Sequence, residues 1–244
     1  VPRRTVLEDG KEAVFNENEV QEISCYYIQD KFGYCKLMDE ATYQRNQEAV
    51  ESDNRFVLKC KNTDRVLLFT DKGNMHQIKC QDVPLGKFKD KGVPIDNISK
   101  YNANQEEIIY ANVKSALAGK TLIFATRDAM VKLVETSEFE TANKLVAATK
   151  LGEGDQLIEI REMAYETDIV FETHDGYFLR CSLSDIPLQK KNSKGVIGIK
   201  LGKCDTLEHF YLLGTEPVEI SYRKKPLSLS RLKLAGRAGK GTKH

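Results

Sequence analysis

One motif recurs along the chain: an apolar strand, a turn that combines Thr or Ser with a small or charged residue, and a second strand. The clearest copies span residues 65–79 and 168–180. Aligned on the turn, the copies place five residues at equivalent positions: Gly33, Gly73, Ala129, Gly176 and Lys224. The intervals between them, about 40 to 56 residues, are close to the length of a propeller blade of about four strands. The repeat therefore predicts an all-β, propeller-like fold with about five blades, and a sixth is possible.

A single domain is the simplest arrangement of these copies. Closed β folds often exceed 200 residues as one unit, and 41% of the 244 residues are hydrophobic, which is enough to fill a core. We predict that residues 1–20 form a connecting segment or strand, with residues 5–15 available to complete the last blade, and that residues 21–244 form one domain. Helix-forming composition predicts a short helix in the connection at residues 38–51 and a matching one at residues 137–150.

The chain shows no sequence feature of a membrane or secreted protein. Its apolar runs are of strand length, well short of the ~18 residues of a membrane helix. No apolar segment follows the arginines at positions 3 and 4, so the N-terminus is not a signal peptide, and because it lacks an initiator Met we expect the chain to be part of a longer protein. The six cysteines contain no Cys-x-x-Cys pair, and we predict free, mostly buried thiols in a reducing cytoplasm rather than three disulfides.

The net charge of +1 hides opposite charges at the two ends of the chain. Between residues 8 and 22 a single lysine accompanies six acids: Glu8, Asp9, Glu12, Glu17, Glu19 and Glu22. From residue 222 to the end there is no acid and the cations cluster, while smaller basic clusters follow Pro84 and Pro187 at one phase of the repeat. Cations at one phase of a closed repeat lie along one face or rim, and such a basic track suits a polyanion such as duplex DNA.

Twelve cations are the candidate phosphate contacts of this track. In the two smaller clusters a lysine precedes a glycine, which lets the backbone approach a phosphate closely while the ammonium supplies the charge. The alternative is that these lysines only solvate loops. The candidates are Lys87, Lys89, Lys91, Lys190, Lys191, Lys194, Arg223, Lys224, Lys225, Arg237, Lys240 and Lys243.

The sequence offers no catalytic centre and no metal site. The four histidines lack the spacing of metal ligands, and we expect His76 and His174 to lie on the rim, in or beside hairpin turns. Walker, Rossmann and Gly-x-Ser-x-Gly motifs are missing. Four aromatic residues surround the first turn: Tyr26, Tyr27, Phe32 and Tyr34. They are consistent with stacking on single-stranded bases, but alternation along the strands favours core packing for most of the four.

Two units of the repeat resemble blades of a known domain. One combines residues 64–73 with Asp82-Val83-Pro84 and with residues 91–98; the other combines Asp185-Ile186-Pro187 with residues 194–201. At this order and spacing they resemble the C-terminal domain of the A subunit of bacterial type IIA DNA topoisomerases, the DNA gyrase and topoisomerase IV family. The resemblance runs from about residue 20 to the end of the chain.

This resemblance implies a β-pinwheel, a propeller-like ring whose blades exchange strands, with DNA bent around its basic outer rim. It also implies that the catalytic tyrosine, the metal-binding acids and the ATPase lie elsewhere in the parent enzyme. The fragment would then need no cofactor, whereas the parent would use ATP and Mg²⁺. The implied partners are duplex DNA, the ATPase (B) subunit, and the catalytic core of the same polypeptide; the domain by itself would be a monomer in the bacterial cytoplasm, associated with the nucleoid.

One motif separates the two branches of this family. In gyrase, a Gln-Arg-Arg-Gly-Gly-Arg-Gly-type heptad supports the DNA wrap that introduces negative supercoils. The nearest matches here, at residues 189–195 and 236–241, are not clean copies of it. The resemblance is therefore closer to topoisomerase IV or a gyrase-like paralogue, and leaves decatenation and relaxation open for the parent enzyme.

Two other functions compete with DNA binding. A propeller can bind another protein through a loop-lined face, but such a face would not require the basic C-terminal run or the lysine-glycine segments at matching phase. A propeller enzyme is disfavoured because no acid, histidine or metal cluster recurs toward a central axis.

Overall fold

The computed structural model describes residues 20–244. Its strands are β1 (Ser24–Asp30), β2 (Tyr34–Asp39), β3 (Asn54–Lys61), β4 (Arg65–Thr70), β5 (Asn74–Lys79), β6 (Val93–Pro94), β7 (Ile108–Val113), β8 (Thr121–Thr126), β9 (Met130–Glu135), β10 (Leu145–Ala147), β11 (Leu157–Met163), β12 (Asp168–Thr173), β13 (Tyr177–Ser182), β14 (Val196–Ile197), β15 (Leu207–Leu213), β16 (Glu219–Tyr222), β17 (Lys225–Ser228), β18 (Leu234–Ala235) and β19 (Thr242–Lys243). The helices are short: α1 (Glu40–Arg45), α2 (Gln47–Asp53), α3 (Ile95–Ile98) and α4 (Lys114–Leu117).

Five hairpins form where the repeat predicts them: β1–β2, β4–β5, β8–β9, β12–β13 and β16–β17. The five aligned turn residues all adopt a positive φ, and these are Gly33 (85°), Gly73 (74°), Ala129 (63°), Gly176 (87°) and Lys224 (63°). Glycine adopts this conformation without a steric penalty, whereas alanine and lysine do not. The turn alignment is therefore confirmed even where the glycine has been replaced.

The first four hairpins become larger sheets by strand exchange. On one side, each hairpin pairs with the long strand that precedes the next hairpin. On the other side, it pairs with a strand of two or three residues that the chain forms only after completing the next hairpin. The sheets are sheet 1 (β3-β1-β2-β6), sheet 2 (β10-β5-β4-β7), sheet 3 (β11-β8-β9-β14), sheet 4 (β15-β12-β13-β18, with β19 on β13) and sheet 5 (β16-β17). The predicted all-β pinwheel is thus confirmed, while the number of blades and the domain boundary at residue 20 stay predictions.

Successive sheets pack face to face through the strand alternation. Along β4, Val66 and Leu68 join the core between sheets 1 and 2, whereas Leu67 and Phe69 join the core between sheets 2 and 3. A strand with a sheet on each face buries both sets of side chains, which explains the unbroken apolar run from residue 66 to residue 69. Similar cores join sheets 3 and 4 and sheets 4 and 5.

The packing also separates an inner and an outer edge in sheets 1 to 4. The edge strand β7 contacts β3 of sheet 1 and β11 of sheet 3, and β11 in turn contacts β15 of sheet 4. These long strands therefore lie together on the side of the common axis. The exchanged strands β6, β10, β14 and β18 occupy the opposite, outer edge.

The segment after the first hairpin is helical, as predicted for residues 38–51. Within the described residues no sheet precedes sheet 1, and the chain forms α1 and α2 instead of an exchanged strand. Asp39 caps α1 by accepting a hydrogen bond from the Thr42 backbone N–H at 2.8 Å. Tyr43 and Val50 pack against Ile28 and Met38 on the free face of the sheet.

The prediction of a matching helix at residues 137–150 is wrong. The structure has a single 3₁₀ turn, Thr136–Phe139, followed by β10. Leu145 pairs with His76 and Ala147 pairs with Asn74 on the outer edge of sheet 2. The main-chain hydrogen bonds of strand exchange override the helical propensity of this segment.

Five of the six cysteines are buried and all six are free thiols, as predicted. The Cys25 and Cys60 sulfurs are 3.7 Å apart on neighbouring strands.

No helix between residues 20 and 244 is long and apolar enough to cross a membrane. Residues 5–15, predicted to complete the last blade, lie outside the described residues, as do five of the six N-terminal acids.

His76 is buried, contrary to the prediction that it lies on the rim. Its Nε2 is 2.5 Å from Oε1 of Glu106, and the two side chains are 1% and 7% exposed. Glu106 also accepts hydrogen bonds from Thr70 Oγ1 and Asn74 Nδ2 at 2.7 and 3.0 Å. Burial alone would raise the pKa of the Glu106 carboxyl, but these hydrogen bonds and the imidazole outweigh it, and the pKa lies below its ordinary value. His174 is exposed, as predicted, and pairs with Glu208 at 2.6 Å.

The two histidine-glutamate pairs allow a matched test of burial. We expect Glu106→Ala to lower the free energy of unfolding by roughly 3–5 kcal/mol, because buried donors lose their shared acceptor. Glu208→Ala removes one partner of an exposed pair and should lower the free energy of unfolding much less. Denaturant unfolding of both variants and the wild type measures the difference, and equal losses would contradict the buried role of Glu106.

Candidate nucleic-acid interface

Three loops on the outer edge share one construction. They are loop A (residues 85–92) on sheet 1, loop B (residues 188–195) on sheet 3 and loop C (residues 234–241) on sheet 4. Each begins with a leucine, and its seventh and eighth residues are Lys-Gly. The leucines form parallel bridges to Leu37, Leu133 and Arg180, which are all four residues beyond the turn position of the receiving hairpin. The loops are therefore equivalent in space as well as in sequence.

The glycine that ends each loop is required by a close approach. Gly92, Gly195 and Gly241 have φ values of 83°, 86° and 74°. A Cβ atom on any of them would clash with a main-chain carbonyl oxygen of the receiving hairpin, at Cys35, Val131 or Phe178 respectively. The glycine thus serves the contact with the hairpin, and its role in the approach to a phosphate stays a prediction.

Loops A and B each wrap around a buried lysine. The Lys36 ammonium donates to the carbonyls of Lys87, Phe88 and Asp90 at 2.9, 2.9 and 2.6 Å. In loop B, the Lys132 ammonium donates to the equivalent three carbonyls, of Lys190, Lys191 and Ser193, at 3.1, 3.1 and 2.8 Å. Each buried ammonium therefore has three main-chain acceptors, which together hold the loop in one shape.

Burial acts on the ionisation of both lysines. It lowers the pKa of the Lys132 ammonium to about 8, against an opposing effect of the Glu138 carboxylate. Burial also lowers the pKa of Lys36, where Asp90 and Asp30 oppose it. A buried charge is tolerated only when polar groups replace its water of hydration. The three carbonyls supply these polar groups, so the lysine needs the loop for solvation and the loop needs the lysine to keep its shape.

Arginines replace the buried lysine at loop C, Arg180 binding the residues before the loop and Arg237 acting from within it. Arg180 binds Asp168 through Nε and Nη2 at 2.8 and 2.6 Å, and its Nη1 donates to the Ser230 carbonyl at 2.7 Å. Within the loop, Arg237 donates to the carbonyls of Asp185 and Ile197 at 3.0 and 2.7 Å. Arg237 therefore links loop C to the residues on either side of loop B. Its contact with phosphate stays a prediction.

The structure places eight of the twelve candidate cations in loops A, B and C, and a ninth, Lys243, in β19 directly after loop C. Ten of the twelve are exposed, and Lys191 and Arg237 are half-buried. No side-chain nitrogen of the twelve lies within 4 Å of a carboxylate oxygen of residues 20–244. Lys91 lies over the Tyr34 ring at 4.1 Å from its centroid, and Lys240 and Lys243 lie near the equivalent ring of Tyr177. The exposed charges are thus available to an external anion.

The remaining three candidates, Arg223, Lys224 and Lys225, lie at a different phase. They form the tip of the fifth hairpin, where the other copies have their turn residues. Arg223 and Lys224 both adopt a positive φ, 49° and 63°. The Arg223 guanidinium lies close to Gly176 in the turn of the fourth hairpin. This cluster therefore belongs to the turn side of the domain rather than to the exchange loops.

Main-chain hydrogen bonds join the outer-edge segments of sheets 2, 3 and 4. Lys150 N–H donates to the Ser193 carbonyl in loop B at 3.3 Å, and Lys200 N–H donates to the Gly239 carbonyl in loop C at 2.8 Å. Both lysines are exposed, and the sequence prediction missed them. The repeated Lys-Leu-Gly at residues 150–152 and 200–202 was the signal. The segment that supplies β10 to sheet 2 has no Lys-Gly pair, so the basic surface is weaker on the outer edge of that sheet.

The aromatic residues around the first turn take different positions. Tyr27 is fully buried and Tyr26 stacks on Tyr43 with a centroid distance of 3.6 Å. Phe32 is 85% exposed at the turn. Core packing, predicted for most of these residues, holds for Tyr27 and in part for Tyr26 and Tyr34, which are half-buried, whereas Phe32 is exposed. Among residues 20–244 no group of three or more His, Cys, Asp and Glu side chains could hold a metal ion.

A family model matches most of the repeat. The model, described as the DNA gyrase C-terminal domain, a β-propeller, matches residues 64–113, 120–161 and 167–213. The A subunit of DNA gyrase from Lawsonia intracellularis is 29% identical over 218 residues, which cover 84% of this chain and 27% of the relative. The corresponding gyrase polypeptide of Streptococcus pyogenes serotype M1 is 30% identical over 199 residues, which cover 76% and 24%. The chain therefore spans about a quarter of the length of these relatives.

Solved structures share the fold. The C-terminal domain of DNA topoisomerase IV superposes with a TM-score of 0.80 at 23% identity, over 92% of this chain and 73% of that one. The C-terminal domain of E. coli ParC gives 0.74 at 16% identity, over 91% and 94%. The C-terminal domain of DNA gyrase A gives 0.61 at 16% identity, over 90% and 76%.

The buried lysines offer a test of how the basic loops are held. We expect Lys132→Met to lower the free energy of unfolding by roughly 1–3 kcal/mol, because three buried carbonyls lose their donor. Hydrogen exchange should then accelerate in loop B and stay unchanged in loop A, whereas Lys36→Met should do the reverse. Each variant is the control for the other, and uniform acceleration across both loops would count against local anchoring.

Proposed function

Because the chain belongs to the family of DNA gyrase C-terminal domains, we propose that it binds duplex DNA along the outer edge of its sheets and bends it. In this proposal the domain is the non-catalytic, DNA-wrapping part of the A subunit of a type II topoisomerase. The observation that carries the proposal is the set of three equivalent exchange loops, each anchored on a hairpin and each presenting exposed cations to solvent.

The energetics of the proposal depend on phosphate contacts. Bending 20 to 30 base pairs costs roughly 1–6 kcal/mol. Each lysine that neutralises a phosphate releases condensed counterions and so contributes favourable, salt-dependent free energy. The loops contact phosphate rather than base edges, so affinity depends little on sequence. Rigid loops hold their charges in position before DNA arrives, which reduces the entropy lost on binding.

The role in the parent enzyme follows from the family. We propose that the parent is an ATP-hydrolysing topoisomerase of the bacterial cytoplasm, associated with the nucleoid, and that this domain presents a duplex segment to the catalytic core of the same polypeptide. The ATPase subunit, ATP and Mg²⁺ belong to the rest of that enzyme. The catalytic tyrosine also belongs there, so the fragment itself performs no chemistry.

The nearest matches to the gyrase heptad, at residues 189–195 and 236–241, fall in loops B and C, which occupy equivalent positions. Neither contains the run of arginines and glycines. We therefore place the parent closer to topoisomerase IV or a gyrase-like paralogue.

The phosphate contacts predict a quantitative salt response. We expect the affinity for a 40-base-pair duplex, measured by fluorescence anisotropy, to fall steeply as salt rises. The triple variant K190Q/K191Q/K194Q should bind more weakly and reduce the slope of log K against log salt by about 3, since each contact contributes about 0.9.

A matched triple variant provides the control. Lys59, Lys61 and Lys120 are partly exposed but each is paired with a glutamate, and K59Q/K61Q/K120Q removes the same charge away from the exchange loops. We expect its slope to stay close to that of the wild type. A flat salt response of the wild type, or equal effects of the two triple variants, would reject binding along the exchange loops.

A further inference from the structure

The three exchange loops also present a row of leucines. Leu85, Leu188 and Leu234 occupy the first position of loops A, B and C and are 61%, 55% and 53% exposed. Large apolar side chains exposed at one phase of a repeat are unusual on a surface that is otherwise charged. The row lies on the same outer edge as the lysines, and neither the fold nor the phosphate contacts account for it.

The backbone of each leucine is fixed although its side chain is free. On sheet 1, Leu37 N–H donates to the Pro84 carbonyl, and Gly86 N–H donates back to the Leu37 carbonyl, both at 2.8 Å. On sheet 3, Leu133 makes the same two bonds, with the Pro187 carbonyl at 3.0 Å and with Gln189 N–H at 2.8 Å. The backbone of the residue between the two bonded positions, Leu85 or Leu188, is therefore held beside the receiving hairpin, while its side chain stays exposed.

The charges around the leucines select the kind of partner. Lys87 and Lys190 follow Leu85 and Leu188 by two residues, and Lys233 precedes Leu234; all three lysines are exposed. A second copy of this chain would bring like charges together at this edge, which disfavours self-association. A polyanion that also offers apolar surface fits the row, and duplex DNA does so through the faces of its deoxyribose rings.

We propose that Leu85, Leu188 and Leu234 pack against deoxyribose rings of the bound duplex, between the phosphates that the neighbouring lysines contact. This inference rests on the proposed DNA binding and adds an apolar, salt-independent component to it. Sugar contacts carry no base information, so the leucines should strengthen binding without adding sequence preference.

The test compares affinity and salt slope in one titration series. The triple variant L85A/L188A/L234A is expected to bind a 40-base-pair duplex roughly tenfold or more weakly, because apolar area stays in water. Its slope of log K against log salt should equal that of the wild type, since no cation is removed. Phe32→Ala, which removes a side chain that is 85% exposed at a hairpin turn, is the matched control and should leave affinity unchanged.

The outcomes separate this inference from the proposed function. Wild-type binding with a steep slope and an unchanged affinity of the leucine variant would overturn the inference alone. A leucine variant with a reduced slope would also overturn it, because the loss would then come from displaced cations. Failure of the wild type to bind DNA would overturn the proposed function and the inference together. Thermal unfolding of each variant shows that the fold is retained.

Discussion

The architecture depends on the main-chain hydrogen bonds between each hairpin and the segment that arrives after the next hairpin. A hairpin with a free outer edge would expose unpaired N–H and C=O groups. Here the exchanged strands cover that edge with only two or three residues each, on sheets 1 to 4. The same bonds fix where the connecting loops emerge. Because the exchange repeats, loops A, B and C emerge at equivalent positions, and their charges and leucines recur along one edge.

The buried lysines link the shape of the loop backbone to the proposed function. Lys36 and Lys132 are 7% and 1% exposed, and an isolated ammonium at such positions would be strongly unfavourable. The main-chain carbonyls of loops A and B supply the missing acceptors, so that each loop completes the environment of the lysine and the lysine holds the loop. The exposed lysines of the loops are thereby presented from a rigid base, although they are surface residues on connecting segments.

Much of this structure was predictable from local sequence patterns. The hairpins follow from apolar alternation around a turn residue, and the helices at residues 38–51 follow from composition. Strand exchange is harder to predict because Val93–Pro94 and Val196–Ile197 are too short to show a period, and only tertiary pairing decides which hairpin receives them. For the same reason the composition of residues 137–150 predicts a helix, whereas residues 145–147 form β10.

The candidate site was predictable in part. The phase of the lysine-glycine segments indicates which cations share an edge, and loop C could have been added from its identical spacing. The burial of Lys132, between Val131 and Leu133 in β9, could not be predicted, because a lysine in a strand ordinarily points to solvent. His76 was misplaced for a related reason, since its partner Glu106 lies 30 residues away in the chain.

The central claim is that the exchange loops wrap DNA around the outer edge of the domain. The most direct measurement binds the isolated domain to nicked circular DNA, seals the nick and reads the linking number of the deproteinised circles. DNA wrapped around the edge with one handedness traps writhe, which predicts a shift in the topoisomer distribution that grows with the amount of bound domain. A distribution identical to that of circles sealed without protein, at concentrations where the domain is bound, would contradict the claim.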